Sequence, residues 1–188
     1  ITGAAHRIGK ETAKVFFDAG WNIIIHFNRS EAAAKELADQ FNNLREGSAC
    51  IVQADLDVDQ DVERLIKEAR DAYNRIDALI NNASSFFPTP LQEISYEDWN
   101  KLMGSNLKGP LFITRGLADL LKSSNGSVIN ITDINIDKGM PGYSIYSAAK
   151  GGLKAIYAAQ TIVSELDETC ERNLDYLMSI NTLTGYLL

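Results

Sequence analysis

The stretch Ile1-Thr2-Gly3-Ala4-Ala5-His6-Arg7-Ile8-Gly9-Lys10 decides how the rest of the chain is read. Gly3 and Gly9 bracket a short loop. After it Ile8, Thr12, Val15, Phe16 and Ala19 recur at helical spacing until Gly20 closes the pattern. Glycine lets backbone approach a pyrophosphate, and the helix N-terminus that follows favours its negative charge. An ordinary turn before an amphipathic helix looks the same, so the loop gains meaning only from its flanks. Only Ile1 stands before Thr2, so the strand expected ahead of such a loop is almost absent.

The flanks continue the pattern. Trp21 to Phe27 reads as a buried strand, rich in β-branched and aromatic residues, and runs into Asn28-Arg29-Ser30. An NAD site usually places a carboxylate here for the ribose 2′-hydroxyl. Arg29 with the Ser30 hydroxyl suits a 2′-phosphate instead, and Arg7 adds a second positive charge, so the reading is NADPH rather than NADH. Arg29 as a solvated loop cation and Ser30 as a cap for the helix starting near Glu31 remain open. Ala49 to Ala54 forms the next strand, followed by Asp55-Leu56, where the Asp can accept from an adenine amino group or cap a helix. Ala78 to Asn81 runs into Asn82-Ala83, whose amide can hold the sheet's carboxyl edge open beside a cofactor.

Strands near 21–27, 49–54, 77–82 and 127–132 thus alternate with helices near 9–19, 30–44, 58–74 and 95–122. The expected fold is a Rossmann-type three-layer α/β sandwich with a central parallel sheet. The 188 residues read as a single dinucleotide-binding reductase domain. A net charge of −7 argues against a nucleic-acid surface. No apolar run reaches a membrane span, and no signal peptide is visible. Cys50 and Cys170 offer neither a disulfide framework nor a metal spacing, and His6 and His26 are far apart, so no metal site is expected.

Within this frame Tyr146-Ser147-Ala148-Ala149-Lys150 places a phenol and an ammonium on one helix face. The ammonium can stabilise the phenolate, as a proton donor requires. The strand Ser127 to Ile131 ends at Thr132-Asp133, whose carboxylate can point into the same pocket, be pushed toward its protonated form and donate. Asn106 precedes a Gly109-Pro110 pair that should kink a long helix or release its hydrogen bonds. From there Asn106 could bind backbone and a water that links Lys150 to solvent. Ser84-Ser85-Phe86-Phe87-Pro88-Thr89-Pro90 is a hydrophobic loop beside the site. Phe86 is expected to face a flat heteroaromatic ring while Phe87 packs.

Together these residues resemble the short-chain dehydrogenase/reductase family. Its Asn-Asn-Ala element matches Asn81-Asn82-Ala83, and its catalytic Asn, Tyr and Lys match Asn106, Tyr146 and Lys150. Arg7 stands where that family usually has glycine, and Asp133 where it has a catalytic serine. Both departures resemble the pteridine reductases, as do Thr2 to Gly9, Arg29-Ser30 and the run Asn81 to Pro90. The resemblance covers residues 1 to about 155.

It implies an NADPH cofactor and a substrate that is an oxidised or dihydro pterin, sometimes a folate. By position, Gly3, Arg7, Ile8, Asn28, Arg29, Ser30, Asp55, Leu56, Asn82, Ala83, Tyr146 and Lys150 would contact NADPH. Ser84 would border both ligands, and Phe86 would stack on the pterin. Asp133 and Tyr146 would protonate a ring nitrogen as hydride reaches the adjacent carbon, with Lys150 lowering the Tyr146 pKa. The resemblance also implies a homotetramer, while charge and composition lead to the expectation of a cytoplasmic protein that binds neither nucleic acid nor membrane.

Beyond Lys150 the resemblance weakens. Residues 156–173 do not match the strand expected there, and no proline follows Pro141. Asp175 to Met178 and Leu183 to Leu188 look like a closing helix and strand entry, but the last Val-Asp-Gly-Gly is missing. The reading therefore expects an incomplete lid and last strand, and leaves open whether residues 150–188 are one contiguous stretch. Three other activities stay in view. One is reduction of a carbonyl in a sugar, steroid or acyl thioester. Another is a dihydromonapterin or dihydrofolate reductase, and the third is a non-enzymatic NADPH sensor.

Overall fold

The protein, seen in a computed structural model, is described for residues 1–163. The elements are α1 (Arg7–Asp18), β1 (Ile23–Phe27), α2 (Glu31–Leu44), β2 (Ala49–Gln53), α3 (Asp59–Tyr73) and β3 (Ala78–Asn81). There follow α4 (Tyr96–Met103), a π-helical turn (Gly104–Lys108), α5 (Gly109–Ser123), β4 (Ser127–Asn130), α6 (Asn135–Lys138) and α7 (Ser144–Val163). Ile1–Lys154 forms one compact unit. The expected lid, closing helix and last strand lie outside the described residues.

Alternation along β1 sets the layering. Ile23, Ile25 and Phe27 join Ala13 and Phe17 of α1 and Leu37 and Phe41 of α2 in one apolar cluster. Ile24, pointing the other way, packs on a second cluster that includes Leu65 and Ile66 of α3 and Ile113 and Leu117 of α5. Helices therefore cover both faces of the strands, which gives the three-layer α/β sandwich. Each buried Ile, Leu or Phe of the two clusters is worth about 1.5–3 kcal/mol, so these clusters dominate the stability of the unit.

The central sheet differs from the single ladder expected. β1 pairs in parallel with β2 from Ile23↔Ala49 to Phe27↔Gln53, and β3 with β4 from Ala78↔Ser127 to Asn81↔Asn130. Residues 1–4 join the two pairs with isolated hydrogen bonds. Ile1 N donates to Ile24 O at 3.0 Å, His26 N to Ile1 O at 3.2 Å and Ala4 N to His26 O at 3.0 Å. On the other side Thr2 N donates to Ile80 O at 2.9 Å. The segment occupies a strand's place, bonded to β1 as far as Ala4. It lies where the strand order reverses, the position at which such sheets open a ligand crevice.

The long helix expected over 95–122 is broken as its Gly-Pro pair foretold. Pro110 has no N–H, and its ring would collide with the carbonyl four residues back, that of Asn106. The backbone answers by widening into the π turn, so Asn106 sits at the bulge. At the other end, Ser95 and Asp98 form a reciprocal capping box that starts α4.

Asp57, between β2 and α3, carries a measurable cost. Its Oδ1 is buried without a hydrogen-bond partner, and a side chain at Gly104 would strike it. Burial, reinforced by the Asp55 carboxylate, pushes Asp57 up to about 6 from an unfolded value of 3.8. The folded state thus disfavours the charged form. The penalty is absent below the unfolded value and complete above pH 6. Asp57→Asn should therefore raise the denaturation free energy by about 1 kcal/mol at pH 7.5, after allowing for partial exposure. Urea titrations at pH 7.5 and pH 3.5 check this, and the gain should vanish at the lower pH.

Among the described residues no helix is long and apolar enough to cross a membrane, and no group of three His, Cys, Asp or Glu side chains could hold a metal ion.

Candidate active site

The nucleotide half is built on the first loop. Gly3 takes φ +63, a region that disfavours a side chain, and a Cβ on Gly9 would run into the Gly3 carbonyl and the Asn82 amide. Asn82 Nδ2 donates to Thr2 O at 2.9 Å and to Gly3 O at 3.2 Å. Thr2 Oγ1 accepts from the backbone N–H groups of Asn82 and Ala83 at 2.9 and 3.0 Å. The end of β3 is thus sewn to the loop. Thr2 was not singled out in the sequence, although its place directly before Gly3 was the available signal.

Helix α1 begins at Arg7 with no side-chain cap and no acidic residue in its first turn. Its first N–H groups and dipole are therefore available to an anion. Arg7 itself has φ 49, so an arginine occupies a left-handed position that suits glycine. Ile8 is half-exposed beside it. Across the crevice Asn28 and Arg29 are exposed at the end of β1. Ser30 holds the N-cap position of α2, but its hydroxyl makes no capping bond. Asp55 does not cap α3 either. Its Oδ1 accepts from Asp57 N at 3.1 Å, and the N-cap is Val58. The Leu56 side chain is buried in the core, which leaves only its backbone for a ligand. A backbone cradle and an uncapped helix end fit the pyrophosphate of a dinucleotide.

The second half gathers residues from four segments. Tyr146 Oη donates to Asp133 Oδ2 at 2.8 Å, and Asn135 N donates to Asp133 Oδ1 at 2.8 Å, fixing the carboxylate at the start of α6. Asn106, fully buried, donates from Nδ2 to Leu102 O and Ser85 O, each at 2.9 Å. Its Oδ1 accepts from Ser84 Oγ at 2.7 Å. Lys150 is 2% exposed and donates to Ile131 O at 2.9 Å. Phe86 is 54% exposed, whereas Phe87 packs against Leu102, Ile145 and Tyr146. Phe86 stacks on Tyr143 at 4.7 Å and meets the Tyr146 ring edge-on at 4.9 Å. Tyr143 was missed in the sequence. Its spacing of three from Tyr146 is the signal that would have placed it on the same side of the site.

One expectation changes here. Tyr146 and Lys150 share a helix face as predicted, but Lys150 bonds backbone, and Asp133 is the phenol's partner. Burial and that hydrogen bond push the Tyr146 phenol above its ordinary value instead of lowering it. Burial brings Lys150 down to about 8, with the Asp133 carboxylate pulling it back up. Asn106 bonds backbone, as expected, and also accepts from the Ser84 hydroxyl.

A Rossmann-type sandwich with a phosphate cradle at its switch point and an Asn–Tyr–Lys cluster beside it defines a dinucleotide-dependent class of α/β protein. The short chain dehydrogenase model matches residues 1–182, and the chain belongs to that family. It is 35% identical to a 3-oxoacyl-[acyl-carrier-protein] reductase of Synechocystis sp., over 88% of this chain and 66% of the relative. It is 29% identical to pteridine reductase 1 of Leishmania tarentolae, over 83% of this chain and 67% of the relative. An uncharacterized oxidoreductase of Methylorubrum extorquens is 30% identical over 83% of this chain and 62% of the relative. The chain spans about two thirds of the length of these curated relatives.

Proposed function

We propose that the protein is an NADPH-dependent reductase of oxidised or dihydro pterins, with folates as substrates of the same chemical class. The observation that carries this reading is the Tyr146–Asp133 hydrogen bond of 2.8 Å beside the exposed Phe86 ring. A carbonyl reductase needs a neutral donor, such as a serine, to polarise the substrate oxygen. A carboxyl beside a phenol instead suits a ring nitrogen that must take up a proton. Phe86 offers a face for the flat ring.

The Gly3–Gly9 loop, Arg7, Arg29 and Ser30 would hold NADPH, and the cofactor would supply a hydride to a ring carbon. Tyr146 and Asp133 hold a proton between Oη and Oδ2 and release one to the adjacent ring nitrogen, so the C=N bond gains one hydride and one proton. The pair is then one proton short. The Lys150 ammonium stabilises the negative charge left behind, and solvent restores the proton through the partly exposed Asp133. Ser84 and Asn106 fix the loop that carries Phe86 against the π turn. The proposed assembly is a homotetramer, supported by exposed Tyr96, Trp99 and Phe112 on α4 and α5.

A second reading, reduction of a 3-oxoacyl thioester, is favoured by the 35% identity to a reductase of that substrate class. Following NADPH absorbance with biopterin, dihydrobiopterin, dihydrofolate and an acetoacetyl thioester separates the two. Turnover of a pterin is the expected result. Turnover of the thioester alone would overturn the pterin reading.

Arg7 gives a further prediction. Its φ of 49 is strained for any side chain but glycine's. Arg7→Gly should raise the unfolding free energy by about 1 kcal/mol. The same change should raise the KM for NADPH about tenfold by removing a phosphate contact, with the KM for NADH unaltered. Denaturant titration and steady-state kinetics on the one variant read both effects.

A further inference from the structure

His26 is a polar interruption in a buried strand, Ile-Ile-Ile-His-Phe, and only 3% exposed. A buried imidazole is tolerated when both ring nitrogens are satisfied. Here Gly3 N donates to Nδ1 at 3.0 Å, and Nε2 lies 3.1 Å from Ala54 O. The carbonyl can only accept, and the Gly3 N–H can only donate. The ring is therefore the neutral tautomer with its proton on Nε2. Burial keeps that ring neutral, pushing it down to about 4, while the Ala54 carbonyl pulls it up. The Ile1 amine and the Asp55 carboxylate are the charges that face it.

The two groups it ties lead directly into the loops of the proposed nucleotide site. Gly3 opens the loop that cradles phosphate, and Ala54 immediately precedes Asp55 at the adenine side. The backbone of the same residue also grips residues 1–4, accepting from Ala4 N and donating to Ile1 O. An isoleucine in its place would serve the strand equally well but would hold neither loop.

We propose that His26 is a positioning residue of the dinucleotide site, a neutral imidazole strut that sets the spacing between the phosphate loop and the adenine-side loop. This role rests on the NADPH-site reading above. It acts through Gly3 and Ala54 and touches no reacting atom, so it governs cofactor affinity and not the chemical step.

The test uses the full chain and NADPH binding followed by nucleotide fluorescence. His26→Phe should weaken NADPH about tenfold, with kcat at saturating cofactor within about twofold of wild type. His26→Asn, whose Oδ1 can replace the Nδ1 acceptor, should recover most of the affinity. His26→Gln, which reaches Ala54 but not Gly3, should recover less. Long-range proton–nitrogen NMR on labelled histidine should show the Nε2–H tautomer unchanged from pH 7 to pH 5. Should His26→Phe not fold, the Asn and Gln pair decides by their order. Wild-type affinity in all variants, or a ring that titrates near its ordinary value of 6.5, would overturn the strut while leaving the NADPH site standing. Failure of the wild type to bind either NADPH or NADH would overturn both.

Discussion

Tyr146→Phe should lower kcat for pterin reduction by about 10²–10⁴, the usual contribution of a positioned proton donor, with KM changed only a few-fold. The phenol ring is retained, so its edge contact with Phe86 and its burial persist. Only the hydroxyl that donates to Asp133 is lost. Asp133→Asn should cost a comparable factor, because an amide opposite Oη neither stores a proton nor stabilises the same charge. The double variant should be little worse than either single one, since the two groups act as a unit. Additive losses would mean that each group acts alone. Steady-state kinetics of the three variants at saturating NADPH decides this. Full turnover in both single variants would refute the mechanism.

The second large effect is expected at Arg29. It is exposed at the end of β1, where a sheet of this kind presents the adenine ribose, and it has no ion-pair partner among the described residues. A charge-assisted bond to a 2′-phosphate is worth about 1.5–3 kcal/mol, so Arg29→Ala should weaken NADPH by about 10- to 100-fold. NADH, which lacks the phosphate, should bind as before. The wild-type preference should also shrink with added salt, because the contact is solvent-exposed. Arg29→Lys should restore only part of the preference, since an ammonium cannot fork onto two phosphate oxygens. Equal losses for NADPH and NADH would show that Arg29 supports the loop and does not read the phosphate.

The strands were legible because their β-branched runs are short and end in polar or glycine residues. Ile23–Phe27 and Ala78–Asn81 fall inside the expected stretches. The helix break was legible from Gly109-Pro110, but its form was not. A proline announces a clash four residues back without saying whether the chain will kink or widen. The split of the sheet could not be read, since Ile1 to Ala4 is too short to show a period and its place depends on hydrogen bonds from both β1 and β3. The site's membership was readable from motifs, whereas its bonding was not. Spacing places Lys150 and Tyr146 on one face, but whether the ammonium meets the phenol or the Ile131 carbonyl depends on the end of β4, far away in sequence. His26 and Thr2 escaped for a related reason. Each looks like an ordinary strand residue until the loop it holds is folded against it.

The pterin reading meets its most direct test in a single competition. The protein is incubated with NADPH deuterated at both C4 positions and equal amounts of dihydrobiopterin and an acetoacetyl thioester, and the products are weighed by mass spectrometry. Transfer of one deuterium to the pterin, with little in the hydroxyacyl product, is the predicted result. Deuterium in the hydroxyacyl thioester and none in the pterin would contradict it.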